Sequence, residues 1–178
     1  MRHGERTLER LVDGLLQNGI APVLTLYHWD LPQALQQSGG WASRETAARF
    51  ADYAAEVARR LGDRAASIAT HNEPWVVAIL GHESGSFAPG LKSQKVAMQV
   101  SHHLLLSHGM ALQALRAERC AAPLGIVLNQ APVHAATESP EDLAKARIDD
   151  GWTIRWYMDA LLHGRYPQDV LEFLGDNA

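Results

Sequence analysis

A carboxylic acid lies where a short apolar segment of the chain meets the start of a helix. Residues 66–70 are small or β-branched and predict a buried strand, and Pro74 favours the first turn of a following helix. Glu73 is therefore predicted to lie at a strand-to-helix junction. In parallel α/β proteins, ligands bind and catalytic side chains collect at the carboxyl ends of the strands. This position makes Glu73 a candidate general acid or base.

A second apolar segment, residues 22–27, ends in His28, Trp29 and Asp30. An imidazole that forms hydrogen bonds and an indole with a large apolar face suit a site for a polar ring such as a sugar. The alternative is that Trp29 belongs to the core and that His28 bonds to the backbone. For Asp30 the sequence favours a structural role, as the cap of a short helix that starts at Pro32.

Helices and strands are predicted to alternate along the chain. Helices are expected at residues 8–16, 43–61, 74–80, 93–118 and 141–162, and strands at residues 23–27, 66–70 and 124–128. Sequential strands joined by helices require a parallel sheet with right-handed crossovers. The prediction is an α/β fold in one domain, residues 1–178, with Ser43 able to cap the second helix. Gly-rich dinucleotide signatures are absent, which argues against a Rossmann fold.

A series of motifs supports a more specific interpretation. In chain order they are LTLYHWDLPQAL, GGW, RFADYAAEVARRLGDR, THNEPW, APG, HHLLLSHG, GIVLN, SPEDLAKAR and RWYMDALLHGRYP. Their order and spacing resemble glycoside hydrolase family one, the β-glucosidase type, from about Gly4 to the C-terminus. The resemblance implies a partial TIM (β/α) barrel of about three βα units. It also implies retaining hydrolysis of a β-glucoside or oligosaccharide.

The resemblance assigns roles residue by residue. The glutamate of the family's NEP motif is the general acid/base, and here it is Glu73. The positions that match sugar-binding groups are His28, Trp29 and Asn72 on the glycone side and Trp75 and Asn129 on the aglycone side. No cofactor and no metal are expected.

The family's nucleophile, a second glutamate in an ITENG-like motif, has no counterpart in residues 1–178. Asp30 and Glu83 are candidate carboxylates, but neither matches a nucleophile position. Phe87 stands where the family usually has histidine, which affects the aglycone contacts. Two hypotheses follow: a β-glucosidase that is weak or depends on a partner chain, with Glu73 as acid/base, or a non-catalytic remnant with a partial sugar-binding cleft.

The composition is that of an ordinary globular protein, with 47% hydrophobic and 20% charged residues. A net charge of −4 gives no electrostatic reason to expect binding to nucleic acid or to a membrane surface. Cys120 is the only cysteine, so no intrachain disulfide is possible. The sequence has no secretory signal and no long apolar run, and a cytoplasmic location is predicted.

A three-stranded parallel sheet has two open edges and, as part of a barrel, one uncovered face. Leu24, Leu26, Ile68 and Val127 are expected to face the barrel interior. Self-association through the open edges is predicted, and the alternative is that helices repack over this face. Three further groups of residues are predicted to have structural and not functional roles. His102, His103 and His108 lack zinc-ligand spacing, and His82 and Glu83 are expected in a solvated loop. Trp152, Trp156 and Tyr157 are expected in the core, or on a face exposed by truncation, rather than as a sugar platform.

Overall fold

The computed structural model describes the backbone of residues 2–178 and the side chains of residues 7–178. Helices and strands alternate along the chain as predicted. The strands are β1 (Val23–Tyr27), β2 (Ser67–Asn72) and β3 (Leu124–Val127). The α-helices are α1 (Arg2–Gln17), α2 (Gln33–Gln37), α3 (Arg44–Leu61), α4 (Gln94–Ala117), α5 (Pro140–Asp150), α6 (Trp156–His163) and α7 (Gln168–Leu174). No helix within residues 2–178 combines the length and the apolar character needed to cross a membrane, and the cytoplasmic location stays a prediction.

The three strands form one parallel sheet in the order β1-β2-β3, which confirms the predicted α/β fold. Val23 pairs with Ser67 and Tyr27 with His71, so β1 and β2 run in register to their carboxyl ends. The pairing of β2 with β3 shifts between Ala69 and Asn72. This irregularity breaks the two-residue alternation of side chains immediately before Glu73.

The chain forms two compact units. The first unit comprises Met1–Glu73 and Leu106–Val127 and contains the whole sheet, and the second comprises Pro74–Leu105 and Leu128–Ala178. Helix α4 therefore contributes residues 94–105 to the second unit and residues 106–117 to the first. The prediction that residues 1–178 form a single domain stays a prediction.

The residues of the strands differ in exposure. Leu26, Ile68 and Thr70 are buried, whereas Val23 is 69% exposed and Val127 is 40% exposed. The expectation that Leu26 and Ile68 face an open barrel interior is therefore wrong. Both strand faces carry apolar residues. The sequence pattern alone therefore does not show which face is covered by packing.

An aromatic cluster fills part of the first unit. Tyr27, Trp41, Phe50 and His71 are all buried, and the His71 ring stacks on Phe50 with the two ring centroids 4.5 Å apart. Tyr27 and Trp41 meet His71 edge to face, at centroid distances of 5.6 and 5.4 Å. Edge-to-face and offset stacking are the favoured arrangements of aromatic rings, so these contacts stabilise the end of β2.

The second unit departs from the predicted helices. The segments Val76–Glu83 and Gly151–Arg155 are π-helical, and the latter divides the single helix expected over residues 141–162 into α5 and α6. Arg155 binds both carboxylate oxygens of Asp169 at 2.9 Å, which ties this segment to α7, a helix that was not predicted. Trp156 and Tyr157 are buried as predicted, whereas Trp152 is only half-buried.

Candidate active site

The ends of β1 and β2 bring three predicted sugar-binding residues together. The Trp29 indole N–H donates a hydrogen bond to the backbone carbonyl of Asn72 at 2.9 Å. The rings of His28 and Trp29 meet edge to face, with their centroids 5.1 Å apart. Trp29 is 38% exposed and His28 is exposed, so the alternative of a core tryptophan is wrong. Both rings are accessible to a ligand at the rim of the sheet.

Glu73 follows Asn72 directly and has an unusual backbone conformation. Its φ angle is 49° and that of Trp29 is 77°, both in the left-handed region that non-glycine residues avoid. Such conformations cost about 1–3 kcal/mol each and cluster at functional sites, where the surrounding structure enforces them. Here the Glu73 backbone N–H donates to the carbonyl of Val127 at 2.8 Å. The Glu73 side chain is half-buried.

Buried hydrogen bonds anchor the residues that precede Glu73. A bond of 2.8 Å joins Thr70 Oγ1 to His108 Nδ1, and another of 2.8 Å joins His71 Nε2 to Ser107 Oγ. Burial, with a smaller contribution from the charge of His108, lowers the pKa of His71 to about 3. Burial, followed by the charge of Arg116, lowers the pKa of His108 to about 4. Both rings are therefore neutral at physiological pH.

The roles of these four anchor residues were not predicted from the sequence. Thr70 and His71 lie in the THNEPW motif, and Ser107 and His108 lie in the HHLLLSHG motif. The presence of polar residues inside two otherwise apolar segments was the available signal. Their pairing depends on how α4 lies against β2, which sequence spacing does not reveal.

Asp30 has a structural role, but a different one from the role predicted. Its Oδ1 accepts a hydrogen bond from the backbone N–H of His28 at 3.3 Å. Helix α2 begins after Pro32 and has no side-chain cap, so the predicted helix cap is wrong. Ser43 lies at the N-cap of α3, but its side chain likewise makes no cap hydrogen bond. Asp30 instead constrains the turn that carries His28 and Trp29.

The other candidates belong to the second unit. Trp75 lies one residue before the π-helical segment, and its buried indole nitrogen has no hydrogen-bond partner among the residues whose side chains are described. Asn129 is half-buried, two residues beyond the end of β3. His82 is buried, and its Nδ1 bonds to the carbonyl of Val77 at 2.8 Å, so the predicted solvated loop is wrong for this residue. Burial also lowers the pKa of His82.

The described side chains form no cluster of three or more histidine, cysteine, aspartate or glutamate groups that could hold a metal ion. His102, the first of the three histidines on α4, instead bonds through Nδ1 to the Tyr166 hydroxyl at 2.9 Å.

Comparison with known proteins identifies the family. A model of Glycosyl hydrolase family 1 matches residues 2–178. The chain belongs to glycosyl hydrolase family 1. Beta-glucosidase A of Acetivibrio thermocellus is 46% identical over 164 residues, which make up 92% of this chain and 37% of that protein. The family 1 chain described here thus spans well under half the length of this relative.

Solved structures agree with this assignment. The family 1 β-glucosidase of Thermotoga maritima superimposes with a TM-score of 0.95 at 40% identity, covering 99% of this chain and 40% of that one. The virulence factor SghA of Agrobacterium tumefaciens, solved with its substrate analog salicin, gives a TM-score of 0.94 at 40% identity over 98% of this chain and 38% of that one. These relatives are TIM-barrel enzymes, which confirms the predicted partial barrel.

Proposed function

We propose that this family 1 chain carries the acid/base half of a β-glucosidase active site, with Glu73 as the general acid/base. The observation that carries the proposal is the left-handed backbone of Glu73, with φ of 49°, at the carboxyl end of β2. Its backbone N–H bond to Val127 and the buried anchors at Thr70 and His71 hold that conformation. A carboxyl group held in this way is pre-organised for proton transfer.

The reaction proceeds in two steps. In the first, the Glu73 carboxyl gives its proton to the glycosidic oxygen as the bond to the anomeric carbon breaks and a second carboxylate bonds to that carbon. In the second, the Glu73 carboxylate takes a proton from water, whose oxygen replaces the second carboxylate at the anomeric carbon. The sugar leaves with its original anomeric configuration.

The neighbouring residues bind the glycone ring. Because the Trp29 N–H is already bonded to the Asn72 carbonyl, Trp29 offers its ring face to the apolar side of the sugar. The His28 imidazole and the Asn72 side-chain amide bind sugar hydroxyls. Trp75 and Asn129 are proposed for the aglycone side, and the buried indole N–H of Trp75, which has no partner among the described residues, remains able to donate a hydrogen bond.

Retaining hydrolysis requires a second carboxylate, the nucleophile, about 5 Å from the acid/base carboxyl. The family's nucleophile motif is absent from residues 1–178, and Asp30 is bonded to the backbone of His28. We therefore propose that efficient turnover depends on a carboxylate supplied by another polypeptide segment. Without that carboxylate, the same residues form a partial sugar-binding cleft, and this is the second candidate function.

Hydrolysis of 4-nitrophenyl β-glucoside tests the proposal. Protein of verified mass is expected to release nitrophenol slowly, and Glu73→Gln is expected to reduce that release. The β-glucosidase relatives support the choice of substrate. If the protein releases no nitrophenol but binds glucose, the non-catalytic alternative is correct. Release of nitrophenol at a rate that Glu73→Gln does not change would contradict the proposal.

Self-association is a further prediction, which the exposure of the sheet supports. Val23 at one edge strand and Val127 at the other expose 69% and 40% of their surface, and a second copy would bury both. Size-exclusion chromatography with light scattering is expected to give a dimer or larger species that dissociates on dilution. Val23→Lys should shift the equilibrium toward the monomer. A monomer of unchanged mass at every concentration would contradict the prediction.

A further inference from the structure

The second unit contains a cavity of about 530 Å³ beside Glu83. Polar groups of Glu83, Gln94, Lys145 and Asp149 line it, together with the apolar surfaces of Ala144, Ile148, Trp152 and Phe173. Its volume lies within the range of about 300–1,000 Å³ that is typical of small-molecule sites. The Glu73 mechanism uses none of these residues.

The Glu83 carboxyl is held in place on one side only. Its Oε1 accepts a hydrogen bond from Gln94 Nε2 at 3.4 Å, and Gln94 Oε1 in turn accepts one from Asn177 Nδ2 at 3.0 Å. The other oxygen, Oε2, is buried and has no hydrogen-bond partner among the residues whose side chains are described. Burial raises the pKa of Glu83. A buried acceptor without a partner is destabilising, and a ligand hydroxyl would relieve that cost.

The charges around the cavity argue against a simple cation as the ligand. Lys145 forms an ion pair with Asp149, so a positive group already lies in the cavity wall. Glu83 and Asp149 are hydrogen-bond acceptors, while Gln94 Nε2 and Lys145 Nζ are donors. A matching ligand must both donate and accept hydrogen bonds at neighbouring positions. Adjacent hydroxyl groups on a ring have this property.

Two aromatic side chains line the same cavity. Trp152 is half-buried, and Phe173 is 63% exposed. Aromatic rings beside mixed donors and acceptors match a pyranose, which has an apolar face and a polar rim. Trp152 was expected in the core and Glu83 in a solvated loop, and the structure instead brings both to one cavity.

We propose that this cavity is a second carbohydrate site, which binds one pyranose ring of a saccharide. Trp152 provides the stacking surface, and the Glu83 carboxyl accepts a hydrogen bond from a ring hydroxyl. The proposal rests on the proposed function only in the choice of a β-glucoside as the probe. The binding itself does not require Glu73 to be catalytic.

Fluorine NMR of protein labelled with 5-fluorotryptophan tests this site. The chain has five tryptophans, and each is expected to give its own fluorine resonance. The resonances of Trp152 and Trp29 are assigned by their loss in Trp152→Phe and Trp29→Phe. Cellobiose is expected to shift the Trp152 resonance at millimolar concentration, in the parent protein and in Glu73→Gln alike.

Glu83→Gln should weaken the binding of cellobiose at this site about 10-fold, because an amide is a poorer acceptor than a carboxylate. Glu138→Gln, an exposed change in the same unit, should leave it unchanged.

The outcomes distinguish failure of the second site from failure of the proposed function. If cellobiose shifts Trp29 but leaves Trp152 unchanged, the second site does not exist and the proposed function is unaffected. A Trp152 shift with tetramethylammonium but not with cellobiose overturns the carbohydrate assignment. If Trp152 shifts while Trp29 does not, the second site is supported and the glycone role of Trp29 is weakened.

Discussion

Glu73→Gln is expected to hydrolyse 4-nitrophenyl β-glucoside about 10²- to 10⁴-fold more slowly than the parent protein. Glutamine retains the shape of the side chain and the backbone bond to Val127, but it has no transferable proton. Both steps lose their proton transfer, so kcat should fall more than KM changes. Steady-state kinetics on protein of verified mass measures the effect.

The control is Glu45→Gln, an exposed glutamate on α3 in the same unit, which should retain parental activity. Contaminating enzyme from the expression host would give a rate that Glu73→Gln does not change. In protein shown to be free of such enzyme, rapid hydrolysis of cellobiose that is unaffected by Glu73→Gln would contradict the assigned role. Rapid hydrolysis that this substitution abolishes would indicate that a second carboxylate has been recruited.

The second large effect is a loss of stability in acid. The pKa of His71 is lowered to about 3 and that of His108 to about 4, whereas both titrate near 6.5 in the unfolded chain. Because the unfolded state binds these protons first, stability is fully present above about pH 6.5 and falls as the pH decreases toward the folded-state values. At pH 5 each histidine should lower the free energy of unfolding by about 2 kcal/mol relative to pH 7.5.

Urea unfolding between pH 7.5 and 5 measures this loss. In His71→Phe the new ring can keep the stacking on Phe50 while no longer titrating, so the histidine-dependent decrease should be about half as large. His134→Gln, an exposed change, should retain the parental decrease. An identical pH dependence in the parent and in His71→Phe would contradict the assignment. Comparing variants at each pH removes the contribution of carboxylates that titrate in the same range.

The regular elements of the fold could be predicted from the sequence. Strand β1 has the bounds expected for it, Val23–Tyr27, and the predicted helices α3 and α4 end within a residue of those observed. These elements have strong local signals: a β-branched or alternating apolar run, a helical repeat and a terminating glycine. The parallel order of the strands followed from the helices between them, because parallel strands cannot be joined by tight turns.

The features that shape the candidate site could not be predicted in this way. The left-handed φ angles of Trp29 and Glu73 are unfavourable locally and persist because distant groups, such as the Asn72 and Val127 carbonyls, bond to these residues. The π-helical segment Gly151–Arg155 has the same apolar spacing as an α-helix at the level of sequence. Motif order identified the residues at the strand ends, but only the three-dimensional contacts relate them to one another.

Whether Glu73 is the general acid can be decided from how the effect of Glu73→Gln depends on the leaving group. The values of kcat/KM for phenyl β-glucoside and 2,4-dinitrophenyl β-glucoside should be compared in the parent protein and in the variant. A departing phenolate needs a proton, whereas a dinitrophenolate leaves without one. If Glu73 is the general acid, kcat/KM falls by at least about 10²-fold for the phenyl substrate and far less for the dinitrophenyl substrate. An equal loss for both substrates would contradict the account, because it would mean that Glu73 supports the site without protonating the leaving group.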